Sequence, residues 1–312
     1  MPTSIASAWR HLRSIGLLQR NLDEVRINQG RILAELNRSA RRETLADYEF
    51  KVFSQWGEDG IIQHLIANLD IPDRTFVEFG VEDFSESNCR FLMMKDNWRG
   101  FVIDGSEKNI ARLRSGSYFW KHDLRAINAF ITRENIAELI ATSGFDEIGI
   151  LSVDIDGVDW HVLAALEHLR PAILIVEYNG VFGPTATVTV PYDAAFFRTS
   201  AHHSNIYYGA SLGAFDWLAR RRGYSLVGGN SAGSNAFFVR DDLLNDVVRP
   251  ASIGATFRPT PFREARDRSG ALTFPRESER RAIIADMPLE DVTNGSMLTV
   301  ADLDRIGEAP AG

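Results

Sequence analysis

The sequence predicts a Rossmann-like α/β domain with a mostly parallel, doubly wound sheet, a terminal antiparallel hairpin and a separate helix in front. Three observations predict it. Between residues 74 and 177 short apolar runs alternate with amphipathic stretches, the β-α-β rhythm that lays parallel strands beside one another with helices on both faces. Two more apolar runs, Tyr224–Gly229 and Asn235–Arg240, follow each other across a connection rich in Gly and Asn, which reads as an antiparallel pair. The first 45 residues carry only a helical stripe.

Composition narrows the class. Of 312 residues, 45% are hydrophobic and 24% charged, as in an ordinary globular chain. The net charge of -8 argues against a long phosphate backbone as partner, so no nucleic acid is expected. The single Cys89 excludes an intrachain disulfide and a cysteine-based zinc site. It stands in the apolar run Asn-Cys-Arg-Phe-Leu-Met-Met and reads as a buried, inert thiol. No stretch approaches the ~18 apolar residues of a membrane span. Arg10, Arg13 and Arg20 have no apolar block beside them, so a secretory signal is not expected and the cytoplasm is the default location.

Taken in order, the elements begin with a helical segment over residues 1–45. Ile15, Leu18, Leu22, Val25, Gln29, Ile32 and Leu36 follow 3-4 spacing, a coiled-coil-like seam that predicts a homo-oligomer, with Gly16 and Gly30 as weak points. The main domain spans 50–245. A helix near 58–68 starts with Glu58 and Asp59, which suit its positive end. Strands follow at 75–79, 100–104, weakly at 118–120 before Asp123, then at 148–154 and 172–177. The helices between them lie near 87–95, 108–114, 134–142 and 161–169. After a loop over 178–205 comes a helix near 211–222 and then the hairpin. Residues 246–312 have little periodicity and read as an irregular extension packed on the domain, frayed at Glu308-Ala-Pro-Ala-Gly.

In open α/β sheets, ligands bind beyond the carboxyl ends of the strands. Every predicted strand end carries an acid: Glu78-Phe-Gly80, Asp104, Asp123, Asp154-Ile-Asp156 and Glu177-Tyr-Asn179. The first turn, from Glu78 through Gly80, Glu82 and Asn88, lacks Gly-x-Gly-x-x-Gly, so it is not a pyrophosphate cradle. One glycine among several acids suits a cationic amino-acid group better. Asp104, 26 residues after Glu78, is placed to accept hydrogen bonds from ribose hydroxyls.

Several phrases occur in order over about residues 50–245: Phe-Ser-Gln-Trp-Gly-Glu-Asp-Gly, Phe-Val-Glu-Phe-Gly-Val-Glu with Glu-Ser-Asn, Trp-Arg-Gly-Phe-Val-Ile-Asp, Leu-Ser-Val-Asp-Ile-Asp-Gly, Tyr-Tyr-Gly-Ala-Ser-Leu and Asn-Ala-Phe-Phe-Val-Arg. Together they resemble the successive motifs of the FkbM-type methyltransferases. The resemblance implies a class I methyltransferase sheet and S-adenosylmethionine (SAM) as cofactor, with Glu78, Gly80, Asp104 and Asp123 holding its methionyl, ribose and adenine parts. It further implies transfer to a hydroxyl, with a sugar or glycan precursor as the family-level acceptor. Val81 and Glu82 depart from the small residues or second glycine of many methyltransferases.

Asp154, Asp156, Glu177 and Asn179, with Asp159 nearby, offer hard oxygen ligands at adjacent strand ends, a set suited to Mg²⁺ or Mn²⁺. Asp156 or His203 is the candidate base for the acceptor proton. His161 reads as a helix-packing residue, while Trp160, Tyr178, Tyr207 and Tyr208 are candidates for a sugar-binding face or for the core. The alternative to an enzyme is a Rossmann-like assembly module that acts through its N-terminal helix.

Overall fold

The computed structural model describes residues 5–260 and 265–307. Side chains at the start of the first helix, Ile15 and Gly16 among them, and the segment Glu308–Gly312 lie outside the described residues, as do the expectations placed on them.

Helix α1 (Ile5–Ser39) leads into α2 (Glu58–Asn68), β1 (Thr75–Phe79), α3 (Arg90–Asp96) and β2 (Arg99–Asp104). Then come α4 (Glu107–Ser115), β3 (Leu124–Asn128), α5 (Ile136–Ala141), β4 (Ile150–Val153), α6 (Asp159–Ala165) and β5 (Ile173–Glu177). After β5 the chain forms β6 (Val188–Thr189), α7 (Arg198–Ala201), α8 (Leu212–Arg221), β7 (Tyr224–Gly229) and β8 (Asn235–Arg240). The remainder holds α9 (Ile253–Thr256), β9 (Ala265–Arg266), β10 (Leu272–Thr273), α10 (Glu277–Ile283), β11 (Pro288–Asp291), β12 (Met297–Thr299) and α11 (Leu303–Gly307).

The main sheet has seven strands in the order β3-β2-β1-β4-β5-β8-β7. β1 through β5 are mutually parallel, while β8 runs antiparallel to both β5 and β7. This is the Rossmann-like sheet with its terminal hairpin turned in, so that the last strand is inserted beside β5. The order reverses between β1 and β4, where a crevice opens beyond the strand ends. Alternation along each strand loads both faces. Val77, Phe79, Ile103, Leu151 and Val176 pack on one side with α5, α6 and α8, and Phe76, Val102, Ile150 and Ile175 pack on the other with α2, α3 and α4. Burial on both faces is why these strands read as continuous apolar runs. Serine caps set three of the helix starts: Ser106 accepts from the Asn109 amide, Ser211 from the Ala214 amide and Ser252 from the Ala255 amide.

Three expectations need correction. The weak strand at 118–120 is a turn, and the strand is β3 at 124–128, so Asp123 precedes a strand instead of ending one. The extension after 246 is not irregular: β11 pairs with β12 and with β6, and β9 pairs with β10. Its strands are two to four residues long, too short for a period of two to show. Gly30, read as a weak point in α1, is its seat. A Cβ there would lie 2.5 Å from Val52 and 2.6 Å from Phe91, so only glycine lets the helix approach this closely. Ala34 and Asn37 are buried on the same face, and the Asn37 amide donates to the Tyr48 carbonyl at 2.8 Å.

Candidate active site

The parallel register brings Gly80, Asp104, Asn128, Asp154 and Glu177 to one edge of the sheet. Asp123 lies at the opposite edge, where its carbonyl accepts from the Gly100 amide at 2.8 Å. It is therefore removed from the crevice, and Asn128 takes the corresponding strand end.

The turn after β1 is tightly built. Gly80 has φ +68°, and a Cβ there would lie 1.6 Å from the Asp154 carbonyl oxygen, so this glycine serves the approach of two strand ends. Glu82 and Phe84 are also left-handed, at φ +48° and +66°, an unfavourable conformation that the surroundings must hold. Two side chains hold it. Asp104, 7% exposed, accepts from the Glu82 amide and the Ser106 amide, both at 2.8 Å, pinning the turns after β1 and β2 together. Arg90 donates to the Phe84 carbonyl at 3.1 Å, lies over the rings of Phe53 and Tyr118, and meets Asp23 of α1 at 3.2 Å.

Glu78 is buried beneath this turn. Its carboxylate accepts from the Ser87 hydroxyl at 2.7 Å and from the amides of Asn88 and Cys89 at 2.8 and 3.2 Å. Burial pushes its pKa up to about 7 against these donors. Asn88 donates to the Ser152 hydroxyl at 3.1 Å. Both residues thus shape the loop from inside, whereas Glu82 is exposed at its rim. Cys89 is fully buried and its thiol is pushed well up by burial, in keeping with an inert side chain.

Asp154, Asp156 and Glu177 come together, each with a carboxylate oxygen within 4.8 Å of the others. Asp154 and Glu177 are half-buried side by side; burial and neighbouring negative charge raise both pKa values, which suits a shared proton. Asp156 is exposed, at φ +55°, and forms an ion pair with Arg198. The Arg198 guanidinium also lies 3.9 Å from the centre of the Tyr208 ring and donates to the Asn205 carbonyl at 2.7 Å. Tyr208 donates to Glu177 at 3.4 Å.

Asn179 does not join the group. Its oxygen accepts from the Val181 amide, and its nitrogen donates to the carbonyls of Ile206 and Tyr208, so its hydrogen bonds hold the 206–208 loop. Asp159 is likewise occupied: it accepts from the amides of Ile155 and Gly157 at 2.7 and 2.9 Å and closes the turn before α6. Among the described residues His203 meets the ring of His202, at 4.2 Å between centres, and makes no hydrogen bond to the three acids. His161 is buried and donates to the Val190 carbonyl at 2.9 Å. Tyr178 and Tyr207 are buried in the core, and the half-buried Trp160 packs against it and donates its indole N–H to the Ala214 carbonyl.

Residues that the sequence did not single out complete the edge. Arg198 and Arg90 come from segments without a motif. Phe130, just past β3, is 50% exposed and faces the backbone of Gly105, where a Cβ would stand 3.7 Å from its ring. An apolar residue two positions beyond a strand end is the only local signal it gives.

No family model matches the chain, and no curated protein matches it. Among solved structures it is similar to an O-methyltransferase from Bacillus cereus in complex with SAH, at 14% identity over 69% of this chain and 89% of that one, with a TM-score of 0.39. It is also similar to the SAH-bound N-terminal domain of EvdMO1, at 10% identity over 53% and 72% of the two chains, with a TM-score of 0.34. A third is the CurJ carbon methyltransferase, at 9% identity over 58% and 52%, with a TM-score of 0.36; this chain spans about half its length. Among the described residues no helix is long and apolar enough to cross a membrane.

Proposed function

We propose that this chain is a SAM-dependent O-methyltransferase that works at the carboxyl edge of its sheet. The observation that supports it most is the build of the β1 and β2 turns. Asp104 locks a left-handed loop without a pyrophosphate cradle, next to exposed Glu82 and the open ring of Phe130.

In this reading Phe130 packs against the adenine, the remaining lone pairs of Asp104 accept from the ribose hydroxyls, and Glu82 faces the cationic amino-acid end. Glu78 and Asn88 keep the loop in shape. When bound, SAM supplies a methyl group on a sulfonium leaving group. An acceptor hydroxyl held at this edge would receive that methyl group as the thioether leaves, and Asp156 would take the hydroxyl proton. Arg198 keeps the carboxylate of Asp156 in place. Asp156 is preferred to His203 because it stands at the strand edge.

Asp154, Asp156 and Glu177 fit a hard divalent cation by donor type and spacing, and would hold Mg²⁺ or Mn²⁺ through one oxygen each. The ion would lower the acceptor hydroxyl pKa. Arg198 already sets a positive charge on Asp156, so the metal is an addition to the reading and not its basis. The resemblance in sequence points to a sugar or glycan-precursor hydroxyl as the acceptor.

Calorimetric titration with S-adenosylhomocysteine, with and without Mg²⁺, is the test. Saturable one-to-one binding that Asp104→Ala weakens at least tenfold is expected. Folded protein that binds neither it nor SAM would overturn the assignment and leave the assembly module. A binding enthalpy or affinity that changes with Mg²⁺ supports the metal, and methyl transfer undiminished after EDTA treatment excludes an essential one.

A further inference from the structure

The geometry of α1 points to a second copy of this chain as its outer partner: we propose that two α1 helices pair in parallel, in register, along the stripe that faces away from the domain. The helix has two working faces. Ile27, Gly30, Ala34 and Asn37, with Asp23 on Arg90, sit against the domain, at the b and f positions of the heptad. The a and d positions point about 150° away from them, as 100° per residue requires. There Leu18, Leu22, Val25, Ile32 and Leu36 are 59, 44, 62, 63 and 62% exposed, although every one is a large apolar side chain.

The area is sufficient for a stable pair. Each of the five leaves roughly 100 Å² of side chain in water. Two copies together would remove on the order of 1,000 Å², the lower bound for a specific interface. The stripe is its own complement, because apolar knobs at a and d fill the holes between the same residues of an identical helix. Exposed Gln29 is the single polar residue within it and decides the direction. In a parallel pair the two Gln29 amides meet and hydrogen-bond each other. An antiparallel pair centred on the stripe would bury each against Val25. The flanks agree, since in the parallel pair Arg26 of one copy meets Asn21 of the other and no like charges are opposed. The two globular domains then lie on opposite outer sides of the coil, because the faces that seat them point away from the seam.

Sedimentation of the full chain at micromolar concentration tests this. The expected mass is twice that of one chain, falling by half in Val25→Glu with Ile32→Glu; both positions are exposed, so the circular dichroism spectrum of the domain should persist. Gln29→Cys should cross-link to itself under mild oxidation, with Cys89 buried out of reach. A wild-type chain that stays monomeric at 100-fold higher concentration, or a double variant that keeps the doubled mass, overturns the pairing. A doubled mass without cross-linking at position 29 overturns the parallel register.

Discussion

Replacing Glu58 with glutamine should cost this fold about 3–5 kcal/mol without removing a single heavy atom of volume. Glu58 is fully buried at the start of α2, and its two oxygens face different parts of the chain. One accepts from the backbone amides of Trp56 and Gly57 at 3.0 and 2.9 Å. The other accepts from the side-chain amides of Asn230 and Asn235 at 2.6 and 2.9 Å. Glutamine keeps one acceptor and sets an NH₂ against two donors. Asn230 cannot rotate to rescue it, because its own oxygen accepts from the amides of Ser234 and Asn235. Two charge-assisted hydrogen bonds are lost at about 1.5–3 kcal/mol each, with partial relaxation reducing their sum. Against a domain stability of about 5–15 kcal/mol, the shift in a urea unfolding midpoint should be large, with an unchanged slope. A loss below about 1 kcal/mol would refute the account of this residue as the brace between α2 and the terminal hairpin. Intact stability with lost S-adenosylhomocysteine binding would instead place Glu58 on the ligand.

Gly80→Ala forces a left-handed alanine, at about 1–2 kcal/mol, and drives its methyl into the Asp154 carbonyl. A loss of at least ~3 kcal/mol is expected in the same assay, and a variant as stable as wild type would show that the two turns are not packed as described. Arg90→Met should lose about 3–5 kcal/mol, since it removes the largely buried ion pair with Asp23 and releases the Phe84 carbonyl. Differential scanning calorimetry would read it, and a neutral result would remove Arg90 as the clamp on the turn. Because the folded pKa of Glu78 is raised from 4.5 to about 7, its contribution to stability is fully present below about pH 4.5. That contribution fades as pH rises through about 7, with a slope of at most ~1.4 kcal/mol per unit. Unfolding free energies measured from pH 5 to 7.5 should fall in the wild type and fall less in Glu78→Gln; parallel profiles would exclude Glu78 as a source of the slope.

Much of the architecture was legible in local sequence. The runs at 75–79, 224–229 and 235–240 are strands at those residues, because apolar side chains buried on both faces leave an unbroken signal bounded by polar turns. The start of α2 was legible for the same kind of reason, an acidic first turn after glycine. β3 was not: its sequence Leu-Arg-Ala-Ile-Asn is half exposed at the sheet margin, and the more apolar Tyr118–Trp120 beside it mimicked a strand. That displacement carried Asp123 to the wrong edge.

The sequence alone also put acids along the carboxyl edge, since strand ends and the turns after them are read locally. What each acid does was decided by tertiary structure. Glu78, Asp159 and Asn179 look like ligands in a list of strand ends, yet each is occupied by amides or hydroxyls that only the folded turns deliver. Asp154, Asp156 and Glu177 converge because β4 and β5 are neighbours, and Arg198 reaches Asp156 from the short helix α7, 42 residues further along the chain. The period of a chain is set by residues three or four apart and is written in the sequence. The partner that satisfies a buried charge comes from whichever distant segment the packing brings to it, and no spacing records that choice.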